Sequence, residues 1–322
     1  MRREGSVALA IGALGAALAI LAPPYFSVEN IRDLFLVNVT VLVVAAGAHL
    51  VMLSGEIDIS VGSAFAVCSV LAGVVAKSGM PLLAVGFVAC AAGALLGALN
   101  GALVAYGRMP AIVVTLAAMV ALRDGLRWMT QGAWIQNLPS TFQWLGFGQS
   151  AFPLVVGAVV AAIVGAIAWA LRHTGMGRAV FATGSNVEAA RLAGIDAAFV
   201  KLSVFTMGGA LTGLAALLNS TRFNQIPSNT GLGLEMKVIA SVVVGGAAIT
   251  GGRGTMTGTV LGVTLLGAIG PALTYLGVSA QWERALQGAI ILGAVAIDAA
   301  RARHAAHTRR AADAPPPMVA RV

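Results

Sequence analysis

Side chains able to do chemistry are scarce in this chain, and they fall in a few places. Residues 54–63 read SGEIDISVGS and set Glu56, Asp58 and Ser60 between two glycines. Asn100 stands among glycines in GALNGAL, and Glu235 and Lys237 follow the glycine-rich GLGL. Arg123, Asp124 and Arg127 crowd into five residues, and Glu188 and Arg191 share the segment NVEAARLAGI. Such groups can receive solute hydroxyls, cap helices or pair across a helix interface. They do not add up to an enzyme, because covalent catalysis needs a nucleophile beside a base and metal chemistry needs clustered ligands at recognisable spacing. The histidines 49, 173, 304 and 307 form no HExxH pattern, and His49 reads as a packed residue near the inner end of its apolar run. Cys68 and Cys90 lie inside apolar runs and read as small core residues. No GxxxxGK[ST] loop occurs, so energy from ATP would have to come through another chain.

The elements that carry these groups are set by solvent. Of 322 residues, 58% are hydrophobic and 10% charged, with a mean hydropathy of +0.90. Soluble domains carry about a quarter of their residues as charges, so this chain is built for lipid, and its functions narrow to transport, signalling or intramembrane chemistry. Spans are expected near 6–22, 34–53, 60–77, 81–106, 109–128, 152–171, 201–220, 237–250, 256–277 and 285–300. The eighth is short for a crossing and reads as broken or re-entrant. Arg2 and Arg3 before the first run suggest a signal peptide, but 22–25 (APPY) is a poor cleavage site and further spans follow, so an uncleaved first helix is expected.

Placing Arg2 and Arg3 inside puts Arg108, Arg172, Arg178, Arg191, Lys201, Arg253, Arg301, Arg303, Arg309, Arg310 and Arg321 inside too, 13 of the 20 basic residues, against 7 outside. The excess favours an even number of spans. The expected fold is therefore an all-α integral membrane protein of about ten transmembrane helices, some broken or re-entrant, with both termini cytoplasmic. A single membrane domain would cover 1–302, and 303–322, with its three consecutive prolines, reads as a disordered cytoplasmic tail. The net charge of +8 is then membrane anchoring rather than a sign of nucleic acid.

Glycines recur every four residues at 93, 97 and 101 and at 254, 258 and 262, which permits close backbone approach between helices; a flexible hinge is the other reading. A carboxylate deep in a bilayer costs roughly 3 kcal/mol on insertion scales, so Asp58 or Ser60 is expected to cap the third span or to line a polar break with Glu56. Asn100 and Glu235 are further pathway candidates beside an across-helix or packing role. Arg123, Asp124 and Arg127 either snorkel to the interface or meet acidic groups of an extracytoplasmic partner. The aromatics of 130–150 read first as interfacial anchors. The one sizeable inside loop, 172–200, should hold a short helix: Asn186 caps it, Glu188 suits its first turn, Gly194 stops it, and Ala189, Ala190 and Leu192 are offered for packing. An ordinary amphipathic connector is the alternative to a docking surface.

These segments together resemble one family. Glu188, Ala189, Ala190 and Gly194 keep the EAA-x-x-x-G spacing of the loop by which permease subunits of bacterial ABC importers contact their ATPase, and 174–178 with Arg178 and 184–186 resemble its form in the ribose-type branch. Residues 54–63, 97–116 and 231–259 resemble further signatures of that branch in the same order, with Glu56 where a neutral residue is usual. The resemblance implies a permease subunit of an ATP-driven importer in the bacterial inner membrane. It implies a separate ATPase that binds the ATP and Mg, a periplasmic binding protein docking near Arg123, Asp124 and Arg127, and a second permease chain. Its solute would be sugar-like, such as ribose, rhamnose or autoinducer-2, and no cofactor would belong to this chain. The rival expectation is a stand-alone secondary transporter or channel; Glu56 and Asp58 are its only coupling candidates, no internal repeat is evident, and it leaves the 172–200 loop unexplained.

Overall fold

A computed structural model describes residues 2–279, 281–290, 292 and 293. Its helices are α1 (Arg2–Leu21), α2 (Val28–Leu53), α3 (Val61–Lys77), α4 (Leu82–Ala105), α5 (Ala111–Thr130), α6 (Gly148–His173), α7 (Gly175–Ser185), α8 (Val187–Leu192), α9 (Ala197–Ser220), α10 (Leu234–Val244) and α11 (Met256–Tyr275). Residues 282–290 are also helical. The expected tail at 303–322 and half of the expected tenth span lie outside the described residues.

Among the described residues six helices, α1, α2, α4, α6, α9 and α11, are long and apolar enough to cross a membrane. Helix α5 has the length, at 20 residues, but carries Arg123, Asp124 and Arg127 in its second half. Helix α10 has only 11 residues, about 16 Å of rise against a hydrocarbon core of about 30 Å, so it cannot cross alone. The short eighth run is thus a short helix, and most of the expected membrane helices start or end within a few residues of the sequence boundaries.

Helices α2 and α9 run antiparallel through the core. Gly47 meets Gly208 where they cross, and a Cβ at position 47 would lie 2.8 Å from the Gly208 Cα. The glycine row of α4 lies along α9: a Cβ at Gly97 would stand 3.1 Å from the Gly209 Cα, and one at Gly101 2.8 Å from the Phe205 Cβ. Gly258 and Gly262 press in the same way on Gly245 and Ser241 at the α10–α11 crossing. With lipid outside, apolar burial does not drive these helices together, and backbone-to-backbone approach takes its place. Packing is the role these rows play here.

Four helices begin on a local cap. Thr174 accepts from the Gly177 amide (3.1 Å), Asn186 from Ala189 (3.0 Å), Asp196 from Ala198 and Phe199 (3.0 Å each), and Thr255 from Gly258 (3.1 Å). Each side chain fills an amide that the first helical turn leaves open. Segment 131–147 is not a loose interfacial loop. It is tied to 221–226 by the Ile135–Ile226 bridge and by the Trp144 amide donating to the Thr221 carbonyl at 2.7 Å. Phe142 is buried and Trp144 packs edge-on to Phe152 at 5.2 Å, while Trp134 and Phe147 stay exposed. Interfacial anchoring therefore fits only two of these four aromatics.

Candidate functional site

Two irregular segments approach each other from opposite ends of the bundle. Helix α2 ends at Leu53, the chain turns at Gly55 (φ +87°), and 56–60 runs inward to the start of α3. From the other end, 222–233 leads to the start of α10. They meet at Gly62 and Gly231: a Cβ at Gly231 would lie 2.6 Å from the Gly62 carbonyl oxygen. Gly231 also holds φ +71°, a region that side-chain-bearing residues seldom adopt.

Beside this crossing lies a buried polar knot. Asp58 Oδ1 accepts from the Ser60 amide (2.8 Å) and from the Ser60 hydroxyl (2.6 Å), and Asn100 Nδ2 donates to Ser60 Oγ (2.9 Å). Asp58, Ser60 and Asn100 are all buried. The expected capping of α3 is not what these groups do: the Ser60 hydroxyl makes no bond to the first turn of α3, because Asp58 and Asn100 occupy it. Thr115 of α5 donates to the Ile57 carbonyl at 3.4 Å, so α4 and α5 both hold the break. This satisfies irregular backbone at membrane depth.

Glu56 points elsewhere. It pairs with Lys201 in the first turns of α9, Nζ to Oε1 2.5 Å, with both side chains under 20% exposed. Glu235 sits in the first turn of α10 against Gly62, and its Oε2 is buried without a hydrogen-bond partner among the described residues. Arg123 does not reach for the membrane surface. Its guanidinium donates to the Thr230 carbonyl (2.8 Å) and the Gly231 carbonyl (3.4 Å), pinning the outer irregular segment to α5. Asp124 and Arg127 are exposed on the same helix.

Above the crossing opens a cavity of about 800 Å³, lined by Thr40 of α2, Phe65 of α3, Asn219 of α9, residues 230–234, and Lys237, Glu283, Arg284 and Gln287. Glu283 Oε1 accepts from Lys237 Nζ (3.1 Å) and from Gln287 Nε2 (3.0 Å). Sequence reasoning noted Lys237 without assigning it and missed Thr40, Asn219, Glu283 and Gln287. The last two were findable as a carboxylate and an amide four residues apart, on one helical face at the head of an apolar run.

The opposite end of the bundle holds the remaining candidates. Helix α8 is a six-residue helix capped by Asn186, with Glu188 and Arg191 joined at 3.0 Å, Ala193 at its C-cap, and Gly194 following at φ +81°. Of the three residues expected to pack, only Ala190 is buried; Ala189 is exposed and Leu192 is 80% exposed. Helix α7, which precedes α8 and carries Arg178, abuts the α2–α3 turn. The site of a Cβ at Gly184 is occupied by the Leu53 carbonyl and lies 2.6 Å from the Gly252 amide. That amide donates to the Leu53 carbonyl at 2.9 Å. Glu56, Gly184 and the 250–252 turn thus lie together, roughly 20 Å along α2 from Thr40 at the cavity.

Comparison with known proteins fits this arrangement. Residues 30–295 match the family described as "Branched-chain amino acid transport system / permease component". The chain is 36% identical over 296 residues to the autoinducer 2 import system permease protein LsrC of Yersinia pseudotuberculosis serotype O:3 (strain YPIII), covering 92% of this chain and 84% of that protein. The protein of the same name from Yersinia pestis (strain Pestoides F) matches with the same identity and coverage. No solved structure matches. The chain belongs to this family and is a multi-pass permease subunit of an ABC importer in the bacterial inner membrane.

Proposed function

We propose that the chain carries autoinducer-2, or a closely similar hydroxyl-rich furanose, through the polar cavity and past the Gly62–Gly231 crossing. The likeness to the LsrC proteins supports the solute. The lining supports a small polyol, because Thr40, Asn219, Glu283 and Gln287 offer both donors and acceptors to hydroxyls, and of its two cations, Lys237 and Arg284, the first is paired with Glu283. In this reading the chain spans the membrane about ten times, with both termini and 172–200 on the cytoplasmic side and α10 as a re-entrant half-helix. A second permease chain completes the pathway. A binding protein delivers solute at the α5 end, with the exposed Asp124 and Arg127 as docking candidates, and Arg123 serves there by holding 230–231. A separate ATPase, which binds ATP and Mg, docks on α8.

The observation that carries the reading is the seating of Gly184. It puts the helix before the exposed docking surface directly against the turns that follow α2 and α10, so a push on α8 reaches the inner irregular segment and the α10–α11 turn without an intervening side chain. Reconstitution with its ATPase, its sister permease and its binding protein provides the test. ATP-dependent uptake of labelled autoinducer-2, outcompeting ribose and rhamnose, is expected. Uptake without ATP, driven by an ion gradient, would overturn it.

A further inference from the structure

Helices α2 and α9 are linked by an ion pair at each end, and the two pairs follow one pattern. At the inner end Glu56, three residues past α2, meets Lys201 in the second turn of α9. At the outer end Arg222, two residues past α9, faces Asp33 in the second turn of α2. Both carboxylates thus belong to α2 and its flank, and both cations to α9 and its flank. Between the pairs, no hydrogen bond joins the two helices among the described residues: Thr206, Thr212 and Ser220 spend their hydroxyls on carbonyls of α9 itself. What meets there is the Gly47–Gly208 contact, backbone on backbone. The pairs differ in how well they are made. The inner one is closed, with Nζ 2.5 Å from Oε1. The outer one is open: Arg222 Nη2 stands 3.9 Å from Asp33 Oδ1, beyond a hydrogen bond, and the Asp33 side chain is 67% exposed. Yet the Arg222 side chain is only 7% exposed, and its Nε is buried with no partner among the described residues. Arg32 adds a like charge nearby rather than a partner. A buried guanidinium in this condition is costly, and the carboxylate able to relieve it stands about 1 Å out of reach.

We propose that α2 rocks on α9 about the Gly47–Gly208 contact, and that Asp33 and Arg222 are positioning residues for transport that hold its other state, in which the outer pair closes as the inner pair opens. Asp33 and Arg222 each stand fourteen residues from the crossing glycine of their own segment, and Glu56 and Lys201 stand nine and seven. At helical rise the outer arm is about 20 Å and the inner about 10 Å. A tilt of about 3° on such an arm moves the outer ends by about 1 Å, enough to bring the guanidinium to a charge-assisted hydrogen bond. Tilting further draws Glu56 from Lys201. Glu56 stands in the inner irregular segment, which ends in the Asp58–Ser60–Asn100 knot, and Arg222 opens the outer one, which leads to Gly231. One small rotation thus loosens the break at one end of the pathway as it fastens the other. This rests on the pathway proposed above but not on the solute or the ATPase.

Cross-linking reads the rocking directly, in the full-length permease in lipid nanodiscs with no solute and no ATPase, so failure here would leave the importer reading standing. With the free cysteines Cys68 and Cys90 changed to Ala, Asp33→Cys and Arg222→Cys are joined by bifunctional methanethiosulfonates of graded length, and only monodisperse protein is counted. Glu56→Gln releases the inner end, and the shortest linker that joins the outer cysteines should then react about fivefold faster. Lys201→Met releases the same end from α9 and should do likewise, so the folding of neither variant decides the result alone. In the reverse probe, Glu56→Cys with Lys201→Cys should react equally fast with or without Asp33→Asn, because the open outer pair restrains nothing in this state. An outer rate unmoved by both Glu56→Gln and Lys201→Met would show two independent ion pairs. An outer rate slowed by them would show that the two ends part together, and an inner rate raised by Asp33→Asn would show the outer pair already holding α2. Any of these three results overturns the proposal.

Discussion

The Gly252 amide donates to the Leu53 carbonyl across 2.9 Å, joining the last residue of α2 to the turn between α10 and α11, and Gly184 lies against both. No side chain mediates this junction, so none can absorb an added atom. Gly184→Ala is expected to cost about 1–3 kcal/mol as overpacking and to lower thermal stability in detergent by several degrees. It should also reduce ATP-driven uptake well beyond the loss of folded protein, which comparing uptake with the amount of folded permease would reveal. Uptake that simply tracks folded protein would mean the junction is packing alone.

Helix α8 makes a separate prediction, because its shape depends on Gly194 at φ +81° and its polarity on Glu188. Gly194→Pro or Glu188→Lys should leave membrane insertion intact while uncoupling hydrolysis from uptake. The check is the ratio of ATP hydrolysed to solute moved, which should rise at least tenfold. Unchanged uptake in both variants would remove the docking assignment.

Glu56 and Lys201 form a pair shielded from solvent on most sides. Losing one partner strands the other charge, and with some exposure remaining the loss should be about 1–3 kcal/mol for Glu56→Gln. The reversed pair, Glu56→Lys with Lys201→Glu, should recover more than half of that in a double-mutant cycle of thermal or denaturant stability. Additive losses would show that the two side chains act independently.

Arg123 and Arg127 lie one helical turn apart and should behave differently. Arg123→Gln frees the Thr230 and Gly231 carbonyls and should lower both stability and maximal uptake. Arg127→Gln should leave stability unchanged and weaken association with the binding protein, an effect that shrinks in high salt because exposed charges are screened. Surface binding measured at two ionic strengths separates the two residues.

In the cavity, Gln287→Ala removes one of the two donors to Glu283. The apparent KM for solute should rise several-fold with maximal rate nearly held, since solute hydroxyls lose an ordered partner. A fall in maximal rate at constant KM would place Gln287 in the moving parts instead.

How much of this was visible beforehand depended on sequence distance. Asn186 and Gly194 were legible because a cap and a helix stop act within a turn, and the shortness of α10 was legible as a short apolar run. Ser60 was misread because its hydroxyl is claimed by Asn100, 40 residues away. Leu192 was misjudged because its hydrophobicity said nothing of the neighbour it lacks in a single chain. Arg123 looked like an interfacial charge because its carbonyl partners lie 107 and 108 residues downstream. Glu283 and Gln287 acquire meaning only when the fold sets them beside Lys237.

The glycine seam between α4 and α9 has one more consequence. Helices that touch through side chains can slide by exchanging rotamers, but Gly93 and Gly97 press on the backbone of Gly209 and Phe205, where any slip is a collision. These two helices therefore move as one solid body. Whatever opens and shuts in this molecule must pivot around that spar.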